Sequence, residues 1–191
     1  MINKKDFDFM RKELKDFEVK REETITVSRD IITISKQIIY SIHRSDLSNA
    51  ENLLKDIKNK IKLLDKTKDY DTGISSVAFQ EYVEAVAFYE IIKNNKLPTS
   101  NDLGVNVEEY LSGLADLTGE LGRKAVHEAI AKNFVNVKKI KEVVEEIYGE
   151  FLKFELRNGE LRKKSDAIKW NLNKLEDMMF NLDLQKRIWK L

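Results

Sequence analysis

The chain contains no cysteine, which removes disulfides, thiolate metal sites and cysteine nucleophiles together. One proline and seven glycines in 191 residues leave few of the turns that a strand-rich fold requires. No stretch sustains apolar–polar alternation of period two, so the expected class is all-α. No apolar run approaches the length of a membrane span, and the start "MINKKDFDFMRKEL" is too charged for a signal peptide. A cytoplasmic protein with no membrane partner is therefore expected.

Charge is abundant: 35% of the residues are Asp, Glu, Lys or Arg, and they nearly cancel to a net +1. The balance is uneven along the chain. Residues 71–130 hold ten acids against four bases, whereas residues 151–191 hold ten bases against six acids. An acidic middle followed by a basic end suits a metal site beside a polyanion-binding surface, although solvated helix faces also show imbalances of this size. The length is sufficient for a sizeable core and favours one domain over residues 1–191.

Helical periodicity organises the sequence into long segments joined by short breaks. The first covers most of residues 4–44, with one stripe at Phe7, Met10, Leu14 and Phe17 and a second near Ile31, Ile34, Ile38 and Ile42. A second helix is expected from about Leu47 to Lys68. A third follows "DTG" and fades at "KNNKLPTSND", where Pro98 and its polar neighbours mark a loop and a short capped turn. Next comes "VEEYLSGLADLTGELGRKAVHEAIAKN", then a helix on Val137, Ile140, Val144, Ile147, Phe151 and Phe154. After "RNGE" a last helix carries Leu161, Ile168, Leu172, Leu175, Met179 and Leu182. The last two stripes are seams for another helix. Such a seam is more often internal core than a subunit interface, but the final one continues toward Ile188 and Trp189, more apolar surface than a helix hairpin needs, which argues for an interface between copies.

The third helix poses a chemical question, because "FQEYVEAVAFYE" sets two carboxylates into an apolar segment. At 100° per residue Glu81 and Glu84 share a side with Val77, Phe88, Ile91 and Ile92, while Phe79, Val83 and Val86 cover much of the opposite side. A buried carboxylate costs several kcal/mol unless it is neutralised, paired or bound to a metal. A salt bridge to another helix is the plain account, and a metal site the sharper one.

On the fifth segment Asp116, Glu120 and His127 lie within about 40° of one another, with Glu109, Ser112 and Arg123 close by. The small residues Gly113, Ala115, Gly119 and Gly122 would let a neighbouring helix approach closely. If that neighbour is the third helix, then Glu81, Glu84, Asp116 and Glu120 converge and demand a cation. Oxygen ligands with no cysteine and only two histidines favour Mg²⁺ or Mn²⁺ over zinc. A ferritin-like di-iron bundle would need two Glu-x-x-His pairs. His43 is preceded at that spacing by Tyr40, and His127 by Lys124, so that architecture is excluded.

The strings "FQEYVEAVAF" and "YLSGLADLTGEL" resemble, in order and separation, the two signature segments of translin-associated factor X, the catalytic relative of translin. "REETITVSRDIITISKQIIYSIHR" resembles the first helix of the translin family, and "LRNGELRKKSDAIKWNLNKLEDMMFNL" resembles its C-terminal end, closer here to translin itself. The similarity runs from about Arg21 to Leu182.

That resemblance implies a seven-helix fold assembling into a hollow octamer, with single-stranded RNA or DNA as ligand. In the catalytic branch an interior acidic cluster binds Mg²⁺ and cleaves RNA. Carried over by position, the catalytic and metal-binding acids are Glu81, Glu84, Asp116 and Glu120, and the nucleic-acid contacts are Arg21, Arg157 and Lys163. Glu120 has three readings open to it: ligand, a group behind the ligands, or salt-bridge partner of Arg123. The ligand role is ranked first. The mixture of catalytic acids with a translin-like end suggests a self-assembling homo-octamer that both binds and cuts, with a second family subunit not required. A metal-dependent endoribonuclease is thus the leading expectation, ahead of a non-catalytic single-strand-binding scaffold and a purely structural assembly.

Overall fold

The computed structural model describes residues 2–67, 70 and 73–188. Among them seven helices and no strand are present: α1 (Lys4–His43), α2 (Leu47–Thr67), α3 (Ile74–Asn94), α4 (Ser100–Leu103), α5 (Val107–Ile130), α6 (Phe134–Phe151) and α7 (Glu160–Ile188). The expected all-α, seven-helix class is what the chain adopts. Lys68, the expected end of the second helix, lies outside the described residues.

Local chemistry sets the boundaries around the central helix. Gly73 supplies a left-handed start to α3 with φ 89°, a conformation that side chains resist. Asn95 closes it with φ 51°, its N–H returning to the Ile91 carbonyl and that of Lys96 to the Glu90 carbonyl, and Pro98 follows where the helix has ended. Two reciprocal capping boxes then start α4 and α5, Thr99 with Asp102 and Asn106 with Glu109. The second accounts for Glu109, a buried acid on the first turn of α5 that has no need of a metal.

The core is assembled in layers around α3 and α5. Helix α3 packs against α1 on one side and α5 on another; α2 covers α1, and α6 and α7 cover α5. Phe79, Val83, Ala85, Ala87 and Phe88 of α3 are fully or almost fully buried, as are Leu117 and Leu121 of α5. Removal of so much apolar surface from water is the main stabilising contribution to the fold.

Both apolar seams are core, the commoner of the two readings open to them, except Phe154, which lies beyond the end of α6 and is exposed. Ile168, Leu172 and Leu175 of α7 are buried within this chain, and Leu161, Met179 and Leu182 pack against the same core. The α7 stripe is therefore internal, because α5 and α6 use it. The side chain of Ile188 and all of Trp189 lie outside the described residues. Phe7, Met10, Leu14 and Phe17, on the first half of α1, are exposed.

Candidate functional site

Four helices contribute to the acid row. Glu81 and Glu84 come from α3, Asp116 and Glu120 from α5, Lys36 and His43 from α1, and Lys164 from α7. The close approach of α5 to α3 depends on Gly113. A methyl group there would lie 2.7 Å from both the Gln80 carbonyl oxygen and the Val83 Cβ. Of the small residues singled out in the sequence, the glycines Gly119 and Gly122 do not serve this purpose. A methyl at Gly119 would meet Asn171 Nδ2 at an ordinary 3.7 Å, and one at Gly122 would meet nothing.

With the backbones this close, the carboxylates feel one another. Glu84 is pushed up to about 8, first by burial and then by the negative charges of Asp116, Glu81 and Glu120. Among the described residues Glu84 forms no hydrogen bond or ion pair. Burial also raises Glu81, opposed by Lys36 and reinforced by Asp116. Lys36 Nζ is 3.7 Å from Glu81 Oε1. Asp116 accepts a hydrogen bond from Lys164, which also donates to Gln80 Oε1 at 3.0 Å.

Glu120 is differently engaged. His43, almost wholly buried at the end of α1, forms a hydrogen bond from its Nε2 to Glu120 Oε2. That bond holds Glu120 below the usual carboxylate range. Arg123 adds a longer contact at 3.7 Å. His43 Nδ1 is buried without a hydrogen-bond partner among the described residues, and its ring faces Phe88 and His127 at 5.1 and 5.5 Å.

The donor set suits a hard divalent ion: all oxygen, anionic, and including a half-buried carboxylate with no hydrogen bond or ion pair of its own among the described residues. Glu81, Glu84 and Asp116 are the residues that could hold one. Among the described residues no three His, Asp or Glu side chains converge on a common ligation point, and Lys36 and Lys164 stand against two of the three acids. Binding would thus require rotation of these side chains, with the lysines giving way.

The basic residues proposed from sequence do not join this row. Arg21 pairs with Glu18 and Glu22 on its own helix. Lys163 is exposed and pairs with Glu160 at 2.6 Å. Arg157 is exposed in the connection between α6 and α7. Arg123 meets Glu120 as the sequence allowed; the other side chains that reach the acids are Lys36, His43 and Lys164, none of which the sequence assigned to the site. For Lys164 a signal existed: it is one residue past Lys163, and 100° of rotation separates an exposed lysine from an inward one.

The translin family model matches residues 19–186. An uncharacterized protein of Methanocaldococcus jannaschii is 32% identical over 160 residues, which is 81% of this chain and 72% of that protein. The translin-associated protein X homolog of Schizosaccharomyces pombe is 32% identical over 129 residues, 58% of this chain and 56% of its own. Among solved structures, apo-NeC3PO superposes with a TM-score of 0.86 at 33% identity, covering 94% of this chain and 97% of that one. AfC3PO in complex with duplex RNA superposes with a TM-score of 0.83 at 29% identity, with the same coverage. Matched over nearly its whole length by the family model and by these folds, the chain belongs to the translin family.

Proposed function

We propose that this chain is a Mg²⁺-dependent endoribonuclease that binds single-stranded RNA and cleaves it at the row of Glu81, Glu84 and Asp116. The observation that carries the reading is Glu84: a half-buried carboxylate without a hydrogen bond or ion pair among the described residues, raised first by desolvation and then by three neighbouring acids. A scaffold that only bound nucleic acid would gain nothing from that arrangement, since an uncompensated acid in a core weakens the fold. The AfC3PO complex with duplex RNA supports nucleic acid as the ligand class.

Mg²⁺, or Mn²⁺ in its place, would be held by Glu81, Glu84 and Asp116. When bound, such an ion supplies Lewis acidity to the phosphoryl group and makes water a competent nucleophile near neutral pH. Hydrolysis adds water across one phosphodiester P–O bond, hydroxyl to phosphorus and proton to the leaving oxygen. Glu84 anchors the centre of the row, with Glu81 one turn before it and Asp116 facing them from α5. Glu120 is either a further ligand or a fixed negative wall behind the ligands. The second role has the better support, because His43 and Arg123 already occupy it.

The proposal extends to a cytoplasmic homo-octamer with the acids facing an enclosed chamber, without need of a second family subunit. Single-stranded DNA is a second ligand of the same chemistry. A non-catalytic scaffold for single-stranded nucleic acid is the alternative. Labelled single-stranded and duplex RNA incubated with Mg²⁺ or with EDTA separates them. Internal cleavage of the single strand in Mg²⁺ only supports the enzyme; intact RNA that is nevertheless retained supports the scaffold. Light scattering decides the assembly, and a mass near the 22.3 kDa of one chain would refute it.

A further inference from the structure

Two lysines contact the acid row at Glu81 and Asp116 and make no direct contact with Glu84 between them. Lys36 reaches Glu81 from α1, and Lys164 reaches Asp116 and Gln80 from α7. Gln80 and Glu81 are consecutive on α3, so two ammonium groups from different helices arrive at adjacent positions of a third. Both act on the Glu81 carboxylate, opposing the rise that burial imposes.

If these lysines served only to neutralise the acids, the residue most in need of them would be Glu84, which Lys164 lowers through its charge alone, the smallest of the influences on it, and which neither lysine meets in a hydrogen bond or ion pair. Their direct contacts at Glu81 and Asp116, with none to Glu84, fit a different task. An ammonium carries three N–H donors. Asp116 and Gln80 take two from Lys164, and the third has no partner among the described residues although the side chain is only 27% exposed. Lys36 is freer, 65% exposed with Glu81 as its described partner. A divalent ion on the acids would weaken the carboxylates' hold on both lysines. Gln80, being neutral, would still keep Lys164 in position. Positive groups with spare donors beside a row of acids are suited to an anion that approaches together with the metal.

We propose that Lys36 and Lys164 form a phosphate clamp for the nucleic-acid backbone, with Lys164 as the fixed arm and Lys36 as the mobile one. The proposal rests on the reading of the acid row as a centre that acts on phosphodiesters. It distinguishes Lys164 from its neighbour Lys163, whose ammonium is spent on Glu160 in solvent. The clamp ligand is the phosphodiester itself, so the contact is independent of base identity.

The test is binding of a short labelled oligouridylate in Mg²⁺, measured in a Glu84→Gln background so that the RNA survives. Adding Lys164→Ala is expected to weaken binding about five- to tenfold and to make the salt dependence shallower by about 0.7 for the lost phosphate contact. Lys36→Ala should give a smaller loss, and Lys153→Ala, exposed and paired with Glu150, none. In the otherwise wild-type chain, Lys164→Ala should retain or tighten Mn²⁺ binding, because a positive charge beside the ligands has gone. Unchanged RNA affinity and salt slope would overturn the clamp. So would a loss of Mn²⁺ affinity matching the loss of RNA affinity, which would make Lys164 only a positioning residue for Asp116. Lys164→Gln, which keeps length and polarity, gives the same readout if the alanine variant fails to fold. Binding is read whether or not RNA is cut, so absence of cleavage by the wild type would fault the nuclease reading and leave the clamp to stand or fall by itself.

Discussion

Gly113 of α5 lies so close to Val83 of α3 that a methyl group on the glycine would sit 2.7 Å from the Val83 Cβ. This contact sets the distance between the two helices that carry the four acids. Asp116 is three residues beyond Gly113, and Glu84 is next to Val83, so the crossing point and the acid row are less than one helical turn apart. The fold thus uses the absence of a side chain to bring negative charges together against their own repulsion.

Gly113→Ala is therefore expected to destabilise the protein, by about 2–3 kcal/mol, because the Gln80 carbonyl and Val83 Cβ are backbone-fixed and cannot swing aside. Gly122→Ala, where a methyl meets nothing, should be neutral or slightly stabilising. Thermal melts of the two variants provide the comparison. Equal melting temperatures would mean that α5 and α3 are not held at this spacing.

The raised Glu84 makes stability depend on pH in a definite direction. Its value in the fold is about 8 against an ordinary 4.5, so the native state holds the proton more tightly than the unfolded chain. Its contribution is fully present below about 4.5 and is lost as pH rises through about 8. Glu120 is shifted the other way and acts in the acidic range, where it loses its contribution as pH falls. In EDTA, wild type should therefore lose melting temperature between about pH 5 and 9 relative to Glu84→Gln. Mn²⁺ should restore more at about pH 8 than at about pH 6, since the ion needs the deprotonated carboxylate. Parallel pH profiles for the two proteins would show that Glu84 titrates normally.

Arg157→Ala combined with Lys163→Ala tests the wider basic surface proposed from the sequence. Both residues are exposed, away from any contact with the acids. If they track the backbone outside the site, affinity for single-stranded RNA falls and its salt slope becomes shallower, with the cleavage rate at saturating RNA unchanged. An unchanged slope would leave the inward lysines as the main electrostatic contacts, with Arg21 the next candidate.

The helices were legible because their apolar periodicity is strong and their ends carry capping residues such as Asn106, Glu109 and Thr99. The acids were legible too, since a glutamate pair in an apolar helix violates local expectation. What remained hidden depends on which helices meet. His43 and Glu120 are 77 residues apart, and neither shows a local sign of the other. Lys163 and Lys164 differ only by one step of rotation, which composition cannot resolve. The α7 stripe left both core, the commoner case, and an interface open, and its burial against α5 and α6 decides for core.

The central claim is that Glu84 holds the metal that cleaves RNA, and Glu84→Gln tests it with least disturbance because size and polarity are kept while the charge is removed. Labelled single-stranded RNA is incubated with wild type and variant at saturating Mg²⁺, and internal cleavage is followed over time. The account predicts a rate reduced by about a hundredfold or more, with RNA binding and assembly retained, and the same outcome for Asp116→Asn. Equal cleavage by wild type and Glu84→Gln would contradict it.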